Sequence, residues 1–147
     1  MKQKTELVIN APRDRVWSIF DDPDYISKWQ PNLIALAHES GEQGQPGAVS
    51  KLTYDENGRQ VVLTETIAER RPPDLFAGTY DSRFGVTTVV NRFEMIDAHT
   101  TRWTVWSRHR FRGAMKLMAM FMAGSIRRRT CADLERFKRL AETEAAE

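Results

Sequence analysis

The chain is poor in several of the residues that announce a function. It has one cysteine in 147 residues, Cys131. A single thiol closes no internal disulfide, which fits a reducing compartment, and a cytoplasmic location is expected. The three histidines, His38, His99 and His109, stand in no metal-ligand spacing, and Cys131 has no partner cysteine. No metal and no cofactor are therefore expected. The G-x-S-x-G, phosphate-loop and G-x-G-x-x-G patterns are missing, so no catalytic residues are assigned. Cys131, set among helix formers, reads as a small packing residue. Long apolar runs are missing too. The best, Ala114 to Ile126, is broken by Lys116 and is short of the ~20 residues a bilayer span requires. No signal peptide is expected, because the apolar run near the start covers only Leu7 to Ile9.

Acidic residues are missing over one long stretch. From Ala98 to Ala132 there is no Asp or Glu, while Arg102, Arg108, Arg110, Arg112, Lys116, Arg127, Arg128 and Arg129 fall there. The formal net charge is only +2. This pattern is either a solvated basic face or a footprint for an anionic partner. Arg108, Arg110, Arg112, Lys116 and Arg127 to Arg129 bracket a methionine-rich segment, a layout compatible with peripheral membrane contact and equally with a core helix whose ends are charged. A nucleic-acid partner is not expected, since no recognition motif accompanies the charge. Nothing in the sequence addresses the oligomeric state.

What is present reads as one domain, residues 1–147, of α+β class. Hydrophobic residues make up 41% of the chain, enough for a globular core. Thr5 to Ile9 is a candidate strand. Asn10-Ala11-Pro12 ends it, with Pro12 suited to the first turn of a helix and Asn10 or Ala11 as its cap. Val16, Trp17, Ile19 and Phe20 face one side of that helix. Asp21-Asp22-Pro23 stops it, and Tyr25 to Trp29 adds one more turn. Six strand-like segments follow: 33–40, 49–54, 59–68, 75–82, 86–96 and 101–110. Short turns separate them, of which Asn57-Gly58 is the strongest hairpin signal. From Gly113 the period becomes helical, with Met115, Met118, Met122, Ile126, Thr130, Leu134, Phe137 and Ala141 as one stripe. Gly124-Ser125 is a candidate kink or start, and the tail from Glu142 is expected to fray.

The opening segment Ile9-Asn10-Ala11-Pro12, with Val16-Trp17, Asp21-Asp22-Pro23 and Trp29-Gln30-Pro31, resembles the START-like superfamily, also called SRPBCC or Bet v 1-like. Gly47, Gly58-Arg59, Arg71-Pro72-Pro73 and the ending Leu134-x-x-Phe137-Lys138 extend the likeness over nearly the whole chain. The resemblance implies a helix-grip fold, a curved antiparallel sheet of six or seven strands wrapped on a long C-terminal helix, with two short helices after strand 1. It also implies a ligand cavity between sheet and helix. Its members include lipid carriers, hormone receptors, polyketide cyclases and chaperone co-activators, so the likeness carries fold further than function.

Strand alternation then nominates the cavity wall. Phe76 and Tyr80, Val89, Asn91 and Phe93, and Trp103 and Val105 share inward faces. Trp29, before Pro31, is expected at the cavity mouth, Trp17 in the core, and Met118 and Met122 on the helix side. Glu65 and His109 are candidate polar anchors. Three functions fit: binding or transport of a small hydrophobic (lipid-like, aromatic or polyketide-like) ligand; a cyclase or dehydratase in which Tyr80, His109 or Glu65 moves protons; or a protein-interaction module of the chaperone co-activator or ribosome-directed toxin type. A large apolar cavity favours the first, a large cavity with adjacent titratable groups the second, and a filled core the third.

Overall fold

The computed structural model describes residues 1–146, with side chains through residue 144. Strand β1 (Lys2–Ile9) is followed by helix α1 (Arg13–Phe20), a 3₁₀ turn (Pro23–Tyr25) and the single-turn helix α2 (Ile26–Trp29). Strands β2 (Leu33–Ser40), β3 (Val49–Glu56), β4 (Arg59–Arg71), β5 (Leu75–Ser82), β6 (Gly85–Asp97) and β7 (Thr100–Phe111) come next, and helix α3 (Met115–Ala146) ends the chain. The sheet order is β1-β7-β6-β5-β4-β3-β2, with every neighbouring pair antiparallel. Six consecutive strands thus form a meander, and β1 returns to pair with β7 from Lys2 opposite Arg108 to Ile9 opposite Thr101. Register shifts at Leu33/Ala35, His38/Ser40, Ile67/Glu69 and Met95/Asp97 bend the sheet into the curve that lets it close on α3.

The local chemistry matches this layout. Asn57 (φ 55°) and Gly58 (φ 88°) carry the positive φ that a two-residue hairpin turn demands, and the Asp55 side chain accepts from the Gly58 N–H at 2.9 Å. Pro12 is not in the first turn of α1 but is its N-cap, at ψ 145°; its carbonyl accepts from the Arg15 and Val16 N–H groups. The side chain of Asp22 caps the 3₁₀ turn by accepting from Asp24.

The core lies where α1, α2 and the C-terminal half of α3 meet β1, β6 and β7. Ile9, Val16, Phe93 and Phe137 have no accessible surface. Phe20 sits at the centre of an aromatic cluster with ring contacts to Trp17, Trp29, Phe76, Phe93, Trp103 and Phe137. Trp103 and Phe137 meet edge to face with centroids 4.7 Å apart. The end of α3 does not fray at Glu142. That carboxylate accepts from the Asn10 N–H and from Lys138, and Glu144 takes Arg15 and Tyr25, so the last described turns are tied to β1 and the short helices. Gly124-Ser125 neither starts nor interrupts α3.

Candidate functional site

Beneath α3 the concave face of the sheet leaves a cavity of about 900 Å³ that opens to solvent. Its volume is within the range of ~300–1,000 Å³ typical of small-molecule sites. Every strand from β2 to β7 contributes, because alternate residues of a curved sheet converge on its inner side. Leu52 and Tyr54 enter from β3; Val61, Leu63, Glu65 and Ile67 from β4; Phe76 and Tyr80 from β5; Val89 and Asn91 from β6; Trp103, Val105 and His109 from β7. Helix α3 closes the roof with Ile126, Thr130 and Leu134, and Phe20, Ile26 and Trp29 close one end. The lining residues with most exposure, among them Pro23, Asp24, Leu36, His38 and Gln43, mark where the cavity meets water.

Of the side chains nominated from sequence, Trp29, Glu65, Phe76, Tyr80, Val89, Asn91, Trp103, Val105 and His109 line this cavity. Phe93 does not. It is fully buried behind the wall, its ring packed on Trp17, Phe20 and Trp103, because α1 covers the sheet at that level. Met118 and Met122 do not either. The inward line of α3 runs through Ile126, and at 100° per residue Met118 lies about 80° around the helix from it. Met118 is 51% exposed, and the N-terminal half of α3 extends past the cavity. Trp29 is buried among rings rather than placed at the mouth; Trp17 lies in the core outside the lining. Cys131 is exposed, not packed. Sequence reasoning missed Leu52 and Tyr54, although alternation in β3 carries the signal, and it missed Arg70 and Asp133, whose inward position depends on the bulge in β4 and on the helix register.

The polar groups of the wall differ in how much of their bonding capacity is used. Asn91 is consumed by the wall itself: it accepts from the Trp103 indole N–H at 3.2 Å, and its amide donates to the Phe76 carbonyl at 3.3 Å. Tyr54 donates to Gln30 at 2.8 Å. Glu65 and Tyr80 are direct cross-strand partners, which brings the phenol near the carboxyl group. Burial pushes the Glu65 carboxyl above its ordinary 4.5, against the opposing pull of the neighbouring Tyr80 hydroxyl. Burial, then the nearby Glu65, drives Tyr80 far above 10, and Tyr54 rises for the same two reasons. Gly78, between Phe76 and Tyr80 on the inner face, leaves room for this pair; a Cβ there would stand 3.2 Å from the Thr66 carbonyl oxygen and 3.7 Å from the Tyr80 hydroxyl.

Two side chains of the lining each carry a buried nitrogen with no partner among the described residues: the indole Nε1 of Trp29 and the Nε2 of His109. The other ring nitrogen of His109 is bonded to Thr87 Oγ1 at 2.9 Å. Burial first, and the chain's own N-terminal charge second, lower the His109 pKa, so the ring is neutral at pH 7. At the open end Arg70 clamps Asp21 with two bonds of 3.1 and 2.6 Å.

A pH prediction follows from Glu65. Because its folded-state pKa is raised, the folded protein holds the proton more tightly than the unfolded chain does. Stability from this group is full below about pH 4.5 and is lost as pH rises through the higher folded value. Glu65→Gln should remove that loss. Its melting temperature relative to wild type should climb from acid to neutral pH; Asp133, also raised by burial, titrates in both proteins and cancels from the difference. A difference that stays constant with pH would show that Glu65 is not buried as described.

The model of one family, described as polyketide cyclase / dehydrase and lipid transport, matches residues 2–142. The chain belongs to that family. The solved structures agree on its fold. The Zhui aromatase/cyclase from Streptomyces sp. R1128 superposes with a TM-score of 0.83 at 18% identity, over 97% of this chain and 93% of that one. The protein TTHA0849 from Thermus thermophilus gives 0.80 at 13% identity, covering 99% of both chains. Ara h 8.0201 gives 0.74 at 14% identity, over 97% of this chain and 98% of that one. No curated protein matches the chain. Family membership agrees with the helix-grip, Bet v 1-like reading of the sequence and with a fold built to take hydrophobic ligands. Among the described residues no helix is long and apolar enough to cross a membrane.

Proposed function

We propose that this family member binds a small, mainly apolar molecule carrying an oxygen acceptor, held in the cavity between sheet and α3. The observation that carries this reading is the pair of buried, unpartnered nitrogens, Trp29 Nε1 and His109 Nε2, on two side chains of a wall whose exposed surface is mainly apolar. A buried polar atom left unmade costs ~1–3 kcal/mol, so an apolar guest that satisfied one would be retained by more than its area. The indole N–H can only donate, so the guest must offer it a carbonyl, carboxylate or hydroxyl oxygen. Neutral His109 can donate or accept, depending on tautomer.

Trp29→Phe tests this. The ring keeps its packing against Phe137 and Trp103 while the N–H is lost. Affinity for a fluorescent fatty-acid probe should fall about tenfold, the worth of a good hydrogen bond. Affinity for an oxygen-free aromatic probe should not change. Equal affinity of wild type and variant for both probes would remove Trp29 from the reading.

A second reading, catalysis of the cyclase or dehydratase kind, is favoured by the Glu65–Tyr80 pair, two adjacent titratable groups in the wall. With its pKa raised, Glu65 moves toward the range in which a carboxyl group serves as a general acid near neutral pH. Glu65→Gln should then abolish turnover of a cyclisable substrate while leaving probe affinity intact.

A further inference from the structure

The N-terminal half of α3 is the part of the molecule that the cavity does not use. Ala119, Met122 and Ala123 turn toward the body, and Ala123 is held there by the Gln3 side chain, which donates to its carbonyl at 3.0 Å. Leu117, Met120 and Phe121 point the other way and are 81%, 85% and 83% exposed. Three neighbouring large apolar side chains this bare form a patch of the kind that marks an interaction surface. The same outward strip continues into Arg128, whose guanidinium lies back along the helix, with Nη1 3.4 Å from where a Cβ on Gly124 would stand. Lys116 and Arg127 flank it, and Arg110 is exposed just before the helix.

Three of the arginines in the acid-free stretch are engaged, Arg102 with Glu94, Arg112 with Asp81 and Arg129 with Glu56. Among the described residues, Arg110, Lys116, Arg127 and Arg128 form no ion pair. An apolar tip ringed by uncompensated cations has a specific chemical complement, which is an apolar interior beneath an anionic surface. We propose that this end of α3 docks on a bilayer containing anionic lipid, with Leu117, Met120 and Phe121 entering the acyl boundary and Lys116, Arg127 and Arg128 at the headgroups. A helix lying in the interface buries its apolar side ~5–10 Å deep, which side chains of this length reach. A second copy of the chain fits less well. A two-fold self-contact through this patch would bring together two copies of the same basic strip, with no carboxylate between Ala98 and Ala132 to offset it. The docking does not depend on what the cavity holds, because none of these six residues lines it.

The test is co-sedimentation with vesicles of phosphatidylcholine alone and of phosphatidylcholine mixed with phosphatidylglycerol. Wild type should bind the mixed vesicles and release as salt is raised. Leu117→Ser with Phe121→Ser should weaken that binding about tenfold or more, as should Lys116→Glu with Arg127→Glu and Arg128→Glu, since each cation near an anionic surface adds to the attraction. All five positions are exposed, and circular dichroism checks that the fold is kept. Three results would overturn the proposal: no binding by wild type, equal binding to neutral and anionic vesicles, or serine variants that bind like wild type. A wild-type dimer that the serine variants dissolve would also overturn it, by assigning the patch to self-contact. Fluorescent-probe affinity of the cavity should be the same in every variant, which keeps this outcome separate from that of the ligand reading.

Discussion

Phe137→Ala is expected to cost ~3–5 kcal/mol of folding stability, the range for truncating a fully buried aromatic side chain. Phe137 has no accessible surface and is the point where α3 locks onto the sheet. Its ring touches Trp103 at 4.7 Å, Trp29 at 5.3 Å and Phe20 at 6.4 Å between centroids. Well-oriented aromatic pairs contribute ~0.5–1.5 kcal/mol each beyond area burial, so losing three at once places the cost toward the upper end. A domain of this kind holds only ~5–15 kcal/mol of stability in total, so the variant should unfold at markedly lower urea. A loss below ~1 kcal/mol in denaturant melts would mean that α3 is held by something other than this contact.

The second large effect is on binding. Val89→Trp adds a large ring at the middle of the cavity wall on β6. In a solid core such overpacking costs ~1–3 kcal/mol or more. Here about 900 Å³ of space stands in front of the side chain, so the melting temperature should stay close to wild type while affinity for a naphthalene or fatty-acid probe falls by more than about tenfold. Lost stability with retained binding would place the guest elsewhere.

The contrast between these two positions shows what the sequence carries. Val89, Asn91 and Phe93 alternate on one face of β6, and the period of two is legible without a structure. That Phe93 is core and Val89 is wall is not legible, because it depends on where α1 lies across the sheet. The same limit explains Met118. The helical period is readable, but Leu117, Met118, Met120, Phe121 and Met122 are all apolar, so hydrophobicity alone does not say which strip faces inward. Nor does it say how far along α3 the cavity extends. The helix-grip architecture is carried by turn chemistry, as at Asn57-Gly58, and by the opening motif around Pro12 and Trp17. The bulge between Ile67 and Glu69, which turns Arg70 toward Asp21 and shapes the open end, leaves no sequence signature.

Asn91 shows a different limit. Its type and face identify it as a polar anchor, yet its amide is spent on Trp103 and Phe76. The groups left free are Trp29 Nε1 and His109 Nε2, and only the three-dimensional bookkeeping of hydrogen bonds separates them from satisfied ones. Tyr80, on the same inner face, stands directly across from Glu65 in the β4–β5 pair.

The most direct measurement is the indole N–H region of a ¹⁵N–¹H correlation spectrum, recorded while a fluorescent fatty-acid probe is titrated in. The chain has four tryptophans in four settings: Trp17 in the core, Trp29 in the cavity wall with an unpartnered, buried N–H, Trp103 with its N–H bonded to Asn91, and Trp106 on the outer face. A guest in the cavity that offers an oxygen to Trp29 should move that indole resonance downfield and saturably, shift Trp103 less, and leave Trp106 in place. A Trp29 resonance that stays fixed while Trp106 or the backbone of Leu117 to Phe121 moves would show that the apolar molecule binds the surface, and would contradict the cavity as the site.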